Sequence, residues 1–136
     1  MDSSAPVELI RPHDLTDRAP YAYAAVAHGA TRLVFTAGAC PLDAAGNTVA
    51  VGDVAGQAEQ VMANLEVALR AAGAGLDDVV KTTVYVATRR REDLVAAWEV
   101  VSRRFGDHDA PSTLLGVTVL GYPDQLVEVE AVAVRR

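Results

Sequence analysis

The sequence predicts an α+β sandwich, one mixed β-sheet with two helices on a single face, and three observations predict it. Two segments of helical periodicity, near 54–72 and 88–105, are interleaved with stretches rich in β-branched and aromatic residues. The 136 residues contain no repeat, low-complexity tract or linker, so 1–136 reads as one domain with one core. Two helices cover only one face of a sheet, yet the stretches at 79–87 and 113–120 are apolar on both faces. The second face therefore calls for another chain, and a homo-oligomer is expected.

Each element has its own signal. Arg32 to Ala37 (RLVFTA) is a strand ending at Gly38, and a weaker strand at Tyr23 to Ala27 precedes it across a possible hairpin loop, His28 to Thr31. Asp43 to Asn47 carries turn chemistry, with a short return strand expected over Thr48 to Val51. Ala58, Val61, Met62, Leu65, Leu69 and Ala72 recur at helical spacing, with Asp53 as N-cap and Gly73 and Gly75 as the stop. Val79 to Ala87 (VVKTTVYVA) has strong β propensity. Thr88 is placed to cap a second helix with the stripe Leu94, Trp98, Val101 and Phe105, ended by Gly106. Strands at Thr113 to Leu120 and Leu126 to Val134 follow, joined by the turn Gly121-Tyr122-Pro123-Asp124.

Composition removes several function classes. A hydrophobic share of 51% excludes disorder, and no apolar run approaches the roughly 20 residues of a membrane helix. The segment MDSSAPVELIRPHD lacks the basic and apolar regions of a secretory signal, so a soluble cytoplasmic protein is expected. The net charge of −6 argues against nucleic acid, which recruits a basic stripe. The densest basic cluster, Arg89-Arg90-Arg91, is followed by Glu92 and Asp93 and reads as a solvated turn and helix face. Cys40 is the single cysteine, which excludes an internal disulfide. No histidine is paired with it in sequence, so it reads as a small buried hydrophobe rather than a nucleophile. His13, His28 and His108 have no metal-ligand spacing, and neither metal nor cofactor is expected.

The chain resembles the RidA family, also called YjgF or reactive intermediate deaminases. Pro20-Tyr21, LVFTAG and CPLD at 33–43, GDVAGQAEQVMANLEVALRAAGAGLDDVVKTTVYV at 52–86 and LVEVEAVAVRR at 126–136 carry the resemblance. The family blocks read like PYSQAV, LVFVSGQIPLD, GDIxxQxxQxxxNLxxxLxxAGxxLxxVVKxTVFV and LVEIEAIAV. The resemblance implies a chorismate-mutase-like fold and a homotrimer whose sheets form a central barrel, with ligand clefts between subunits. It implies hydrolysis of reactive imines and enamines such as 2-aminoacrylate. In the family an arginine in a P-A-R-S/T motif binds the substrate carboxylate, while a glutamate on the last strand and a tyrosine near the first position water or the imine nitrogen.

Carried over residue by residue, Glu128 and Tyr21 match the catalytic glutamate and tyrosine, and Gly38 matches the glycine after the strand. The serine before that glycine is Ala37 here, and the glutamine after it is Ala39. The arginine falls on Thr113, and no arginine lies between Arg104 and Arg135. A position that often bears asparagine aligns loosely with Trp98. The expected substrate-binding set is thus Thr113, Ala37, Gly38 and Trp98.

Glu128 and Glu130 alternate with valines, so both face one side of the sheet, about 7 Å apart at strand spacing. Glu128 reads either as a general base or water positioner or as an ion-paired edge residue. Thr113 reads as a hydrogen-bond partner for a neutral carbonyl or as a plain strand residue. Tyr21 reads as closing the cleft mouth or as interface packing. Trp98 and Tyr85 read more simply as core or interface, and Tyr122 reads as a turn residue ahead of the alternative that it reaches a neighbouring subunit's ligand.

Two functions remain. One is a Rid-type enzyme, an imine or enamine hydrolase or a pathway-specific tautomerase, acting on an intermediate without a free carboxylate. The other is a non-catalytic ligand-binding or stabilising homotrimer. Endoribonuclease activity sits poorly with the acidity, and chorismate mutase chemistry poorly with the missing arginines.

Overall fold

A computed structural model describes residues 7–135; the first residues of the segment read for a signal, and Arg136, lie outside them. The elements are β1 (Val7–Ile10), β2 (Ala24–Ala27), β3 (Arg32–Phe35), α1 (Val54–Ala71), a 3-10 turn (Leu76–Asp78), β4 (Val79–Ala87), α2 (Arg91–Phe105), β5 (Ser112–Val117) and β6 (Val127–Arg135). The main sheet runs β3-β6-β4-β5, with β4 and β5 parallel and the other pairs antiparallel. α2 supplies the crossover that a parallel pair requires. This is the α+β, two-helix architecture expected from the sequence.

The core forms where two periodicities meet. α1 presents Ala58, Val61, Met62, Leu65 and Leu69, and α2 presents Ala97, Val100 and Val101. Opposite them lie Val84 and Val86 of β4 and Val127, Val129, Ala131 and Ala133 of β6. Asp53 caps α1 as expected, its carboxylate accepting from Gly56 N at 3.0 Å. Gly73 then takes φ +83 beyond the helix end.

Among the described residues no helix lies over the other face of the sheet. Leu33 is 62% and Phe35 71% exposed there. Lys81, Thr83, Tyr85, Thr113, Glu128 and Glu130 share that face by the two-residue alternation of their strands.

Several boundaries differ from the sequence reading. The strand before His28 does not form a hairpin with β3: β2 pairs with β1, and β3 pairs with β6. Residues 28–31 link two sheets, with Thr31 N already bonded to Arg135 O. β1 was not anticipated, because four residues carry little periodic signal. The strand expected over Thr48 to Val51 shrinks to one bridge, Leu42 to Thr48, as the chain turns through Ala50 (φ 49) into α1. Thr88 does not cap α2, which starts after Arg90; its hydroxyl instead accepts from Arg90 N and donates to Asp93. β5 ends at Val117, leaving Val119 76% exposed.

One buried polar group ties α1 to the start of β6. Gln57 is fully buried; its Oε1 accepts from Leu126 N at 2.7 Å and its Nε2 donates to Asp124 O at 2.9 Å. Gln57→Leu strands both backbone groups. A loss of about 2–6 kcal/mol is expected in urea unfolding, from roughly 1–3 kcal/mol for each of the two stranded groups. An unchanged midpoint would show that this link does not hold the turn.

Candidate functional site

Glu128 stands near the start of β6, on the face away from the helices, and is half-buried. Its neighbours come from two loops. Gln125, buried in the turn before β6, donates from Nε2 to Glu128 Oε1 at 3.0 Å, while its own Oε1 accepts from Tyr122 N at 3.1 Å. Cys40 contributes its thiol, with Sγ 3.5 Å from Glu128 Oε1. Gly38 supplies the space. A Cβ there would meet Glu128 Oε2 and lie 2.6 Å from its Cδ and 2.8 Å from its Cγ. Ala37, the residue before it, is exposed.

The loop that carries Gly38 and Cys40 is held from both sides. Ala39 bridges Val129 in both directions, at 2.7 and 3.1 Å. Asn64 on α1 donates to Cys40 O at 2.8 Å and Leu42 O at 3.0 Å. A helix side chain thus fixes the loop backbone that accommodates the carboxylate.

Burial and the charge of Glu128 push the Cys40 thiol from 9.0 up to about 11. A protonated thiol that donates to a carboxylate is a poor nucleophile. This agrees with the reading of Cys40 as unreactive, although it is half-buried rather than fully enclosed. Two of the three histidines are occupied elsewhere: His28 with Glu8 at 2.6 Å, and His108 with Val79 O at 2.7 Å. Among the described residues no cluster suited to a metal ion occurs.

Tyr21, Trp98 and Thr113 form a second group. They line a cleft of about 450 Å³ with Pro20, Ser112 and Leu114. Tyr21 meets Trp98 edge-to-face at 6.2 Å and Tyr23 at 6.1 Å. The segment bearing Tyr21 is pinned by Ala22 N to Asp109 O at 2.9 Å and by Arg11 to Asp109 at 2.8 Å. Thr113 is exposed on β5, and its Oγ1 accepts from Lys81 Nζ at 2.7 Å. Tyr85 on β4 donates to Glu130 on β6 at 2.6 Å, and that hydrogen bond, with burial, raises the tyrosine's pKa.

The sequence-derived residues therefore fall into two groups on one chain: Glu128 with Gly38, and Tyr21 with Trp98 and Thr113. The lining of the cleft does not include Glu128. Gln125, Asn64 and Lys81 were not singled out as site residues. Their roles depend on which loops and strands meet, and short-range pattern does not encode that.

The family model for endoribonuclease L-PSP matches residues 13–135. This chain belongs to the RidA/YjgF family. A RutC-family protein of Pyrococcus horikoshii is 35% identical over 104 residues, covering 76% of this chain and 80% of that one. The 2-iminobutanoate/2-iminopropanoate deaminase of Salmonella typhimurium is 34% identical over 125 residues, covering 89% and 95%. Among solved structures, a Rid-family protein of Yersinia pestis, YyfB, of unknown function, superposes with a TM-score of 0.88 at 30% identity, covering 95% and 98%. TdcF of Escherichia coli with bound serine gives 0.67 at 29%, covering 95% and 99%. No helix among the described residues of this RidA/YjgF member is long and apolar enough to cross a membrane.

The contact between Gly38 and Glu128 yields a prediction that needs no substrate. Glu128→Gln removes the charge but not the burial. The Cys40 thiol should then titrate below about 11 and still above 9.0, followed by its ultraviolet thiolate absorbance. Gly38→Ala should lower it too, by displacing the carboxylate, with little loss of thermal stability. A midpoint unmoved in both variants would mean that Glu128 does not face Cys40.

Proposed function

We propose that the protein is a Rid-type hydrolase of small imines or enamines, working as a homotrimer in which the Glu128 group and the Tyr21–Trp98–Thr113 cleft of adjacent subunits close one site. The observation that carries this reading is the half-buried Glu128 carboxylate, held by Gln125 beside a glycine with no side chain to obstruct it. Relatives named 2-iminobutanoate/2-iminopropanoate deaminase, and the serine bound to TdcF, support a small amino-acid-derived ligand. The uncovered face with Leu33 and Phe35 supports the assembly.

In this reading Glu128 takes a proton from water as the oxygen attacks the imine carbon, and delivers it to nitrogen. The hydroxyl of the resulting carbinolamine then gives up its proton, which passes through Glu128 to the amine nitrogen; the C–N bond breaks, the carbonyl forms and ammonia leaves. Tyr21 orients the nitrogen from the cleft mouth. The guanidinium fork that would fix a substrate carboxylate is absent at Thr113, so the smallest substrate, 2-aminoacrylate, is held poorly. RNA cleavage fits less well. Arg103 and Arg104 are committed to Glu59 and Glu66 of α1, and the chain carries −6 overall.

Two measurements test the proposal. Wild-type protein should release ammonia from a panel of imines generated in situ, and Glu128→Ala should lower kcat by about 100-fold or more, as for loss of a general base, with the oligomer intact by light scattering. No turnover of any imine by wild type would leave a ligand-binding trimer as the better account. Thr113→Arg should raise kcat/KM for 2-aminoacrylate about tenfold, the scale of one charge-assisted contact. A fall would place Thr113 outside the ligand site.

A further inference from the structure

We infer that Glu128 works through one oxygen alone: Gln125 and Cys40 are positioning residues that hold Oε1, and Oε2 carries the proton. Oε1 receives two donors, Gln125 Nε2 at 3.0 Å and the Cys40 thiol at 3.5 Å. A carboxylate oxygen has two lone pairs, so these donors fill it. Among the described residues Oε2 accepts no hydrogen bond. It lies against Gly38, where a Cβ would obstruct it. The gap at Gly38 thus opens the oxygen that the donors leave free.

The two donors differ in kind. Gln125 is fixed: it is buried, its Nε2 also donates to Val127 O at 3.2 Å, and its Oε1 accepts from Tyr122 N at 3.1 Å. The backbone on both sides therefore sets the plane of its amide. Cys40 is free to choose, because its single thiol proton has two acceptors in reach, Glu128 Oε1 at 3.5 Å and Gly38 O at 3.4 Å. An ionised carboxylate is the stronger acceptor and takes that proton. A carboxyl protonated on Oε2 is neutral and loses the advantage over the carbonyl. The thiol follows the charge of Glu128.

The inference rests on Glu128 as the base of the proposed hydrolysis and assigns its atoms. In the hydration step an O–H bond of water breaks, the oxygen bonds to the imine carbon, and the proton passes to Oε2. The π pair of the C=N bond goes to nitrogen, which then receives that proton. While Oε2 is protonated the thiol turns to Gly38 O, and it returns when the charge does. Gln125 keeps Oε1 in place throughout, so the carboxyl does not rotate and carry the proton away from the nitrogen. Sulfur is a weak donor, so the thiol adds alignment without opposing proton uptake as a stronger donor would.

Cys40 is the only cysteine, so its S–H stretching band in the infrared reads the contact without substrate. Glu128→Gln should move the band to higher frequency, because the thiol loses its charged acceptor. In turnover, Cys40→Val should lower kcat about threefold with KM unchanged, the scale of one weak donor. Cys40→Ser, which donates without filling the space, should keep the wild-type kcat. Gln125→Met should lower kcat about tenfold, again with KM unchanged, the scale of one hydrogen bond to a charged group. A band indifferent to Glu128→Gln would put the thiol on Gly38 O, and wild-type kcat in Cys40→Val would make the side chain packing alone; either overturns the inference. The band and the Cys40 pair decide the matter even where Gln125→Met fails to fold. A displaced band without imine turnover by wild type would remove the hydrolase and keep the clamp on Oε1; Glu128-dependent turnover with the band unmoved would do the reverse.

Discussion

The constraint on which the molecule depends is the two-residue alternation of β6, the strand lying between β3 and β4. Val127, Val129, Ala131 and Ala133 face the helices and, together with Val84 and Val86 of β4, form the apolar surface that α1 and α2 cover. Once they do, Glu128, Glu130 and Val132 have to point the other way. A slip of one residue would drive two carboxylates, Glu128 and Glu130, into the core in place of Val127, Val129 and Ala131. Core packing and the direction of the reactive carboxylate are therefore one decision.

A carboxylate placed on an open sheet face would ordinarily be solvated and mobile. Here the loop after β3 returns to β6 at Ala39 and lays Gly38 against the Glu128 side chain, while Gln125 holds one oxygen from below. The loop owes its position to Asn64, and the turn carrying Gln125 owes part of its own to Gln57. Both are polar residues on the buried side of α1. Helix 1 thus acts on the site through backbone carbonyls, and each amide is spent on the satisfaction rule that governs buried backbone.

How much of this could be read from sequence follows from the range of each signal. β4 was legible at both ends because nine residues of β propensity sit between the Asp77-Asp78 turn and Thr88, whose hydroxyl ties down the next turn. α1 was legible within a residue from its stripe and Asp53. Pairing was not: residues 23–27 and 32–37 are close in sequence and looked like a hairpin, but β3 closes on the last strand, about a hundred residues later. The same limit applies to the site. Glu128 and Gly38 came from family resemblance, while Gln125 and Lys81 acquire meaning only through contacts that tertiary structure creates. The approach of Lys81 to Thr113 depends on a parallel register that sequence does not print.

That register also recasts the charge deficit around Thr113. Counting arginines along the chain leaves the stretch from 105 to 134 without one, and suggests a site emptied of positive charge. In a sheet, however, the neighbours of a residue are those across the ladder, about 5 Å away, rather than those beside it in sequence. A cation on β4 serves a position on β5 as well as one on β5 itself, provided its stem is long enough to cross. Lysine's four-carbon stem is, and the hydroxyl of Thr113 gives its ammonium somewhere to rest.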